Sequence, residues 1–409
     1  MVQGAPTERT KKPLPDNFFS KEFLIQHIKD IISFYEPRVV DSTGGLFQSF
    51  YVDGTPFDPE FRQIVTSTRM VVNFMLAGKL LGRQDLIDIG RHGLEYVEKN
   101  HYVAEREAYA FSMRNHAPED MTEQAYGYAF VLAAHAAAVA AGAAADHSGV
   151  ARIFELMEKK FWLSEKGAYL DTISAAGVVD NSYRGQNSNM HICEGLIAAF
   201  EATQDMRYLN RAQVLAETFT QTLAEKAKGF VWEHYTVDFE VDWEYNKDDP
   251  TNIYRPWGFQ PGHQNEWAKN LLNIYRHKPE NNRWMVEKAK QLFDGAWKLS
   301  YDSEHGGLVY GFGPDMKWCD EEKYFWVQSE SMATAALLYQ VTGEAKYVER
   351  YVNLWRYCWE HWIDHEYGAW IGFKMTRDNR SFDNKKAIAG GKCDYHTLVA
   401  CIEALRAFT

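Results

Sequence analysis

Cysteine is scarce in this sequence and never paired. Five residues in 409, at Cys193, Cys319, Cys358, Cys393 and Cys401, include no CxxC motif and form an odd, scattered set of the kind expected of reduced thiols in a cytoplasmic protein. The chain has no GxGxxG dinucleotide turn, no P-loop and no HExxH pair, so no cofactor is implied by motif. Positive charge is in deficit: 44 Lys and Arg against 56 Asp and Glu leave a net charge of -12, which argues against a nucleic-acid backbone as partner. Long apolar runs are missing too. The alanine-rich stretch around Leu132 contains His135 and is too short to span a bilayer, so no membrane partner is expected. Residues 1–17 are polar and proline-rich with no apolar h-region, which predicts a disordered lead rather than a signal peptide. No Ser/Pro-rich linker or composition break follows, and residues 18–409 are expected to form one domain.

What the chain does have is a repeat. A Gly- or Ala-centred turn beside aromatic or aliphatic residues recurs at Gly45-Leu46, Ala108-Tyr109, Ala168-Tyr169, Gly229-Phe230, Gly307-Leu308 and Ala369-Trp370. Aligned on Gly45, Ala108, Ala168, Phe230, Gly307 and Ala369, the spacings are 63, 60, 62, 77 and 62 residues. A regular period marks stacked supersecondary units, none able to bury its apolar face alone. Each period carries two helical patterns. The first is amphipathic, as in Leu24, Ile28 and Ile31-Ile32, and suits an outer wall with one face in water. The second is apolar nearly all round, as in residues 70–77 and 129–141, and belongs inside. Twelve alternating helices predict an all-α fold, an (α/α)6 barrel of six helix-pair repeats with short hairpins at one end. Six units without a polar capping repeat favour a closed ring over an open solenoid.

Each inner helix opens with a chemically capable residue at a similar distance from its turn. These are Arg69, Tyr126, His191, His263, the pair Gln328 and Glu330, and His396. Equivalent positions in a ring face one opening, so a guanidinium, a phenol, three imidazoles and a carboxylate are expected at one mouth. His191 with Glu194, and His263 with Glu266, are spaced i, i+3 and share a helix face, so each carboxylate is expected beside its imidazole. Trp326 reads as a stacking wall and Glu330 as a hydroxyl ligand, whereas His92, His135 and Lys269 read as wall or surface residues. Thirteen tryptophans and 15% aromatics would suit the apolar faces of sugar rings, although most are simply core. Histidine fits proton transfer because its ordinary pKa of roughly 6.5 lies near working pH. A hard divalent cation wants more carboxylates than these positions supply, so no metal is expected. A glycoside hydrolase would need two opposed carboxylates in place of this histidine set. A carbohydrate-binding protein without activity would have no use for the acid/base groups.

Several stretches are similar to a known family. Asn187-x-Asn189-Met190-His191-x-x-Glu194, Pro261-Gly262-His263-Gln264-Asn265-Glu266-Trp267, Phe325-Trp326-x-Gln328-x-Glu330, Tyr126-x-x-Ala129-Phe130 and Lys392-x-x-Tyr395-His396-Thr397 resemble the N-acylglucosamine 2-epimerase family of (α/α)6-barrel sugar enzymes, from about Gly45 to Glu403. The likeness is greatest to the branch that interconverts mannose and fructose without a metal. It implies that His263 and His396 are the general acid/base pair. It further implies that His191 and Glu266 assist ring opening and hydroxyl binding, that Arg69 holds oxygens near the reacting carbons, and that Tyr126, Asn187, Trp326, Gln328 and Glu330 meet the substrate. The implied partner is a small-molecule sugar, with no cofactor. The sister 2-epimerases share most of these motifs, and the sequence leaves monomer and homodimer both open.

Overall fold

The computed structural model describes residues 12–409. Residues 1–11, the greater part of the lead expected to be disordered, lie outside the described residues. Residues 12–17 run without regular structure, with Trp359 Nε1 donating to the Lys12 carbonyl at 3.2 Å.

Among the described residues, helices dominate. They are α1 (Lys21–Tyr35), α2 (Ile64–Leu81), α3 (Gln84–Tyr96), α4 (Ala125–Ala140), α5 (Ser148–Lys160), α6 (Gln186–Thr203), α7 (Met206–Glu217), a single turn α8 (Ala224–Lys226), α9 (Pro261–His277), α10 (Arg283–Ser300), α11 (Phe325–Thr342), α12 (Ala345–His361) and α13 (Tyr395–Phe408). The outer helices bury one stripe: in α5 it is Val150, Ile153, Phe154, Leu156 and Met157. The inner ones bury nearly every side chain, as α4 does from Tyr128 through Ala134. Small residues let α4 lie close to α6; a Cβ on Gly195 would stand 2.8 Å from the Ala129 carbonyl. Length and hydropathy alone would let α2 cross a membrane, yet 78% of it is buried among its neighbours and it carries Arg69.

The inner helices touch in cyclic order, α2 to α4, α6, α9, α11, α13 and back to α2. The strands repeat that circuit. Each segment entering an inner helix pairs antiparallel with the next hairpin along: Phe61–Gln63 with Ser112–Arg114, Glu123–Gln124 with Thr172–Ile173, Arg184–Gly185 with His234–Tyr235, Phe259 with Phe312, and Lys323–Tyr324 with Lys374–Met375. The circuit closes where Lys385–Ala387 pairs with Phe50–Tyr51 at the other end of the chain.

The recurrent turn of the sequence is a tight reversal after each outer helix, closed by pairs such as Val40 with Leu46, Tyr301 with Leu308 and Ile363 with Trp370. It needs a left-handed residue, which explains the glycines at 45, 167, 229, 307 and 368, and Glu107 takes φ 47° in the period that lacks one. The fourth residue of each of four inner helices then clasps the backbone just past the turn. Tyr128 Oη accepts the Tyr109 amide, Asn189 Oδ1 that of Tyr169, Gln264 Oε1 that of Val231 and Gln328 Oε1 that of Leu308. In those four repeats this contact registers the outer unit on its inner helix, and the N-terminal ends of all six inner helices share one end of the molecule.

Candidate active site

At that end lies a cavity of about 580 Å³, lined from every inner helix by residues of its first two turns: Arg69 and Tyr126, Asn187 and His191, His263 and Glu266, Trp326, and His396. The three histidines share it. His191 and His396 have ring centroids 6.2 Å apart, and Trp326 stands between His263 at 4.9 Å and His396 at 5.8 Å. Trp326 lies so close to α9 that a Cβ at position 262 would come within 2.2 Å of its ring, so Gly262 is what lets the indole reach this place. Arg69 donates to Tyr126 Oη at 3.0 Å and to the Gly391 carbonyl, while its guanidinium lies 4.3 Å from the Phe130 ring centroid. An arginine buried this deeply is held by such contacts and keeps its charge toward the cavity.

Each imidazole is oriented through Nδ1. His191 Nδ1 is 3.1 Å from Glu194, the expected i, i+3 contact. The corresponding expectation for His263 is corrected: its Nδ1 bonds both oxygens of Glu233 at 2.9 Å and lies 2.9 Å from Gln186, not beside Glu266. The side chain of Glu266 points across α9 toward α13, where its Oε1 is 3.7 Å from His396 Nδ1. His396 Nδ1 meets Glu330 at 2.7 Å. A carboxylate accepts and does not donate, so these contacts place hydrogen on Nδ1 and leave each Nε2 free to accept.

Burial sets the charges. It lowers His191 to about 4, Glu194 opposing, and holds His396 well below the ordinary histidine value, with Arg69 adding to the effect, so both imidazoles stand neutral. Burial and the neighbouring Glu330 push Glu266 far above the usual carboxyl range. A protonated Glu266, whose two oxygens make no hydrogen bond among the described residues, offers an O–H to the cavity. Lys392, also lining the cavity, is pulled down to about 8 by burial and by Arg69.

Two of the expected substrate-binding residues stand elsewhere. Gln328 is fully buried and spends its amide on the Leu308 backbone, accepting from N–H and donating to C=O at 2.8 Å each; it is the clasp of its repeat, equivalent to Gln264 and Asn189. Glu330 is 1% exposed and does not line the cavity; one oxygen meets His396 and the other lies 2.6 Å from Lys269, so it holds a histidine in place. Lys269, read as wall or surface, is 2% exposed and bridges Glu330 to Glu194 behind His191 and His396. His92 and His135 do lie in the wall, on the Gly45 carbonyl and on Glu98. Glu233 escaped the sequence reading, although a signal existed: it is the third residue after its turn, and its equivalents Phe111, Asp171 and Tyr310 also line the cavity.

Neutral imidazoles with free Nε2 atoms, a protonated carboxyl and a fixed guanidinium, all facing one enclosed space, define an enzyme that moves protons on a small polar substrate. The chain belongs to the N-acylglucosamine 2-epimerase family, whose model matches residues 45–400. It is 44% identical over 393 residues to the D-mannose isomerase of Marinomonas mediterranea, covering 96% of this chain and 98% of that one. A crystal structure of D-mannose isomerase superposes with a TM-score of 0.93 at 43% identity, covering 96% of this chain and all of that one. The cellobiose 2-epimerase of Spirochaeta thermophila shares the fold, with a TM-score of 0.82 at 18% identity over 96% of this chain and 99% of that one.

Proposed function

We propose that residues 18–409 form one catalytic (α/α)6 barrel, a metal-independent aldose–ketose isomerase that interconverts D-mannose and D-fructose in the cytoplasm. The observation that carries this reading is the likeness to D-mannose isomerase along nearly the whole chain, joined to a cavity where the motif histidines present free Nε2 atoms.

The open-chain sugar binds with its C1–C2 end toward His396 and its oxygens on Arg69 and Tyr126. His396 Nε2 takes the proton from C2 and the C–H electrons form the C1=C2 bond, leaving negative charge on O1 beside Arg69. His263 Nε2 accepts the O2 proton and passes it to O1, C2 becomes the carbonyl, and the C1=C2 electrons take back at C1 the proton held by His396. Protonated Glu266 and His191 serve ring opening, Asn187 offers its unpartnered buried Oδ1 to a hydroxyl, and Trp326 supplies an apolar wall. A preorganised Arg69 stabilises negative charge as it forms on the oxygens.

Two groups, His191 with Glu194 and Glu266, and Glu266 with Glu330 and His396, are close enough to share a cation. The Lys269 ammonium already serves Glu194 and Glu330 there, and it supports the reading without a metal. Activity should therefore survive exhaustive EDTA; loss restored only by a divalent metal would refute that part. The whole reading is tested by incubating the protein with mannose in deuterated water and following products by proton NMR. Fructose is the expected first product. Glucose appearing before fructose would replace the isomerase by a 2-epimerase, and no reaction would refute both.

A further inference from the structure

Behind two of the histidines that line the cavity lie buried charged groups that the reaction above does not use. Lys269 Nζ, on α9, donates to Glu194 Oε1 of α6 at 3.1 Å and to Glu330 Oε2 of α11 at 2.6 Å. The second oxygen of each carboxylate carries a cavity histidine: Glu194 Oε2 is 3.1 Å from His191 Nδ1, and Glu330 Oε1 is 2.7 Å from His396 Nδ1 of α13. An unbroken chain, His191–Glu194–Lys269–Glu330–His396, thus runs from one imidazole to the other.

Such a chain has two consequences. Both histidines are held with hydrogen on Nδ1, because the partner of each is an acceptor. Their charges are also linked. A proton arriving at His396 Nε2 draws Glu330 toward the new imidazolium and turns Lys269 toward Glu194, and a better-satisfied Glu194 is a weaker partner for a second imidazolium at His191. The other groups facing the pair are Arg69 from α2, Tyr126 from α4, His263 and Glu266 from α9 and Tyr395 from α13. Arg69 opposes a positive charge on either ring, which reinforces the exclusion.

We propose that Lys269 is a positioning residue that holds His191 and His396 in the Nδ1–H tautomer and makes their protonation mutually exclusive, so that only one of the two imidazoles carries a mobile proton at a time. Its use in catalysis rests on the isomerase reading: transfer from C2 to C1 needs one proton, and a second imidazolium about 6 Å away would compete as donor to the enediol.

The test is made on the wild-type protein without sugar, by nitrogen-15 NMR of labelled histidine, with His191→Gln and His396→Gln used only to assign signals. Both rings are expected as Nδ1–H tautomers at neutral pH, and on acidification their protonation steps should separate by about one pH unit or more. An Nε2–H tautomer at either position, or two coincident titrations, would overturn the proposal whether or not the protein converts mannose. A second arm uses Lys269→Met, with folding checked by thermal melting. Where the variant folds, kcat should fall about tenfold or more while the mannose KM stays within about threefold, and the two titrations should draw together. A folded variant with native kcat and unchanged separation refutes the role of Lys269. If the variant does not fold, the wild-type spectra decide. Failure of wild-type turnover would count against the isomerase reading and leave the NMR result standing.

Discussion

Glu233→Gln isolates the residue that orients His263. Glu233 is 3% exposed, accepts His263 Nδ1–H with both oxygens at 2.9 Å, and accepts Gln186 Nε2 at 3.0 Å. The substitution keeps the shape and removes the charge. One amide oxygen must then serve two donors, and an NH2 group faces a place built for an acceptor. Gln186 cannot turn over to compensate, because its oxygen is taken by Trp267 Nε1 at 2.8 Å. A hydrogen bond to a charged group contributes about 1.5–3 kcal/mol, which corresponds to a loss of about 10- to 150-fold in kcat/KM. The loss should fall mainly on kcat, since the orientation of His263 is affected and the sugar contacts are not. Initial rates of mannose-to-fructose conversion, read beside a thermal melt of the same preparation, measure it. A folded variant with kcat within about threefold of wild type would refute the orienting role of Glu233 and weaken that of His263 as acid/base partner.

Other outcomes follow from the same geometry. His396→Asn should abolish isomerisation and C2 deuterium exchange together, by about 10²–10⁴-fold or more, and near-normal exchange would remove His396 as the shuttle. Gln328→Leu, by contrast, should lower stability by about 1–3 kcal/mol through the orphaned Leu308 backbone while leaving the mannose KM unchanged; a raised KM with native stability would return Gln328 to the binding set. Acid should destabilise the fold through buried neutral histidines. Burial lowers His27 to about 3 and His101 and His191 to about 4, so the unfolded chain binds more protons below its ordinary histidine pKa, and stability present above about 6.5 should be lost at up to about 1.4 kcal/mol per pH unit per histidine as pH falls toward 4. Thermal melts between pH 8 and 4 check the sign, and a melting temperature that rises on acidification would contradict it.

The repeat was legible because its parts are local. A left-handed turn needs glycine or a tolerant substitute, an outer helix needs an apolar stripe, and an inner helix needs apolar residues all round; each demand marks a few consecutive residues. Their recurrence near 62 residues was enough to place Arg69, Tyr126, His191, His263 and His396 at one end, with Trp326 read beside them as a stacking wall, and the structure brings all six into one cavity. Gln328 shows the limit of that reasoning. It occupies a repeat-equivalent position, but the fourth residue of an inner helix points to the backbone of its own turn while the second, third or sixth points inward. The phase of a helix by one residue separates a structural clasp from a cavity residue, and no pattern in the chain states that phase.

The sequence by itself determined the helices, their alternation and the end of the molecule at which chemistry gathers, since these depend on residues near in the chain. Only the tertiary structure decided who partners whom. Glu233 reaches His263 across 30 positions, Glu330 reaches His396 across 66, and Lys269 joins Glu194 and Glu330 across 75 and 61. The first of these contacts runs from the hairpin segment before α9 to α9 itself and the others cross from one inner helix to another, where the closing of the ring sets the distance. Burial then converts proximity into function: a lysine that would be surface on an isolated helix becomes the cation of a buried network, and a glutamate that would be ionised in water holds its proton.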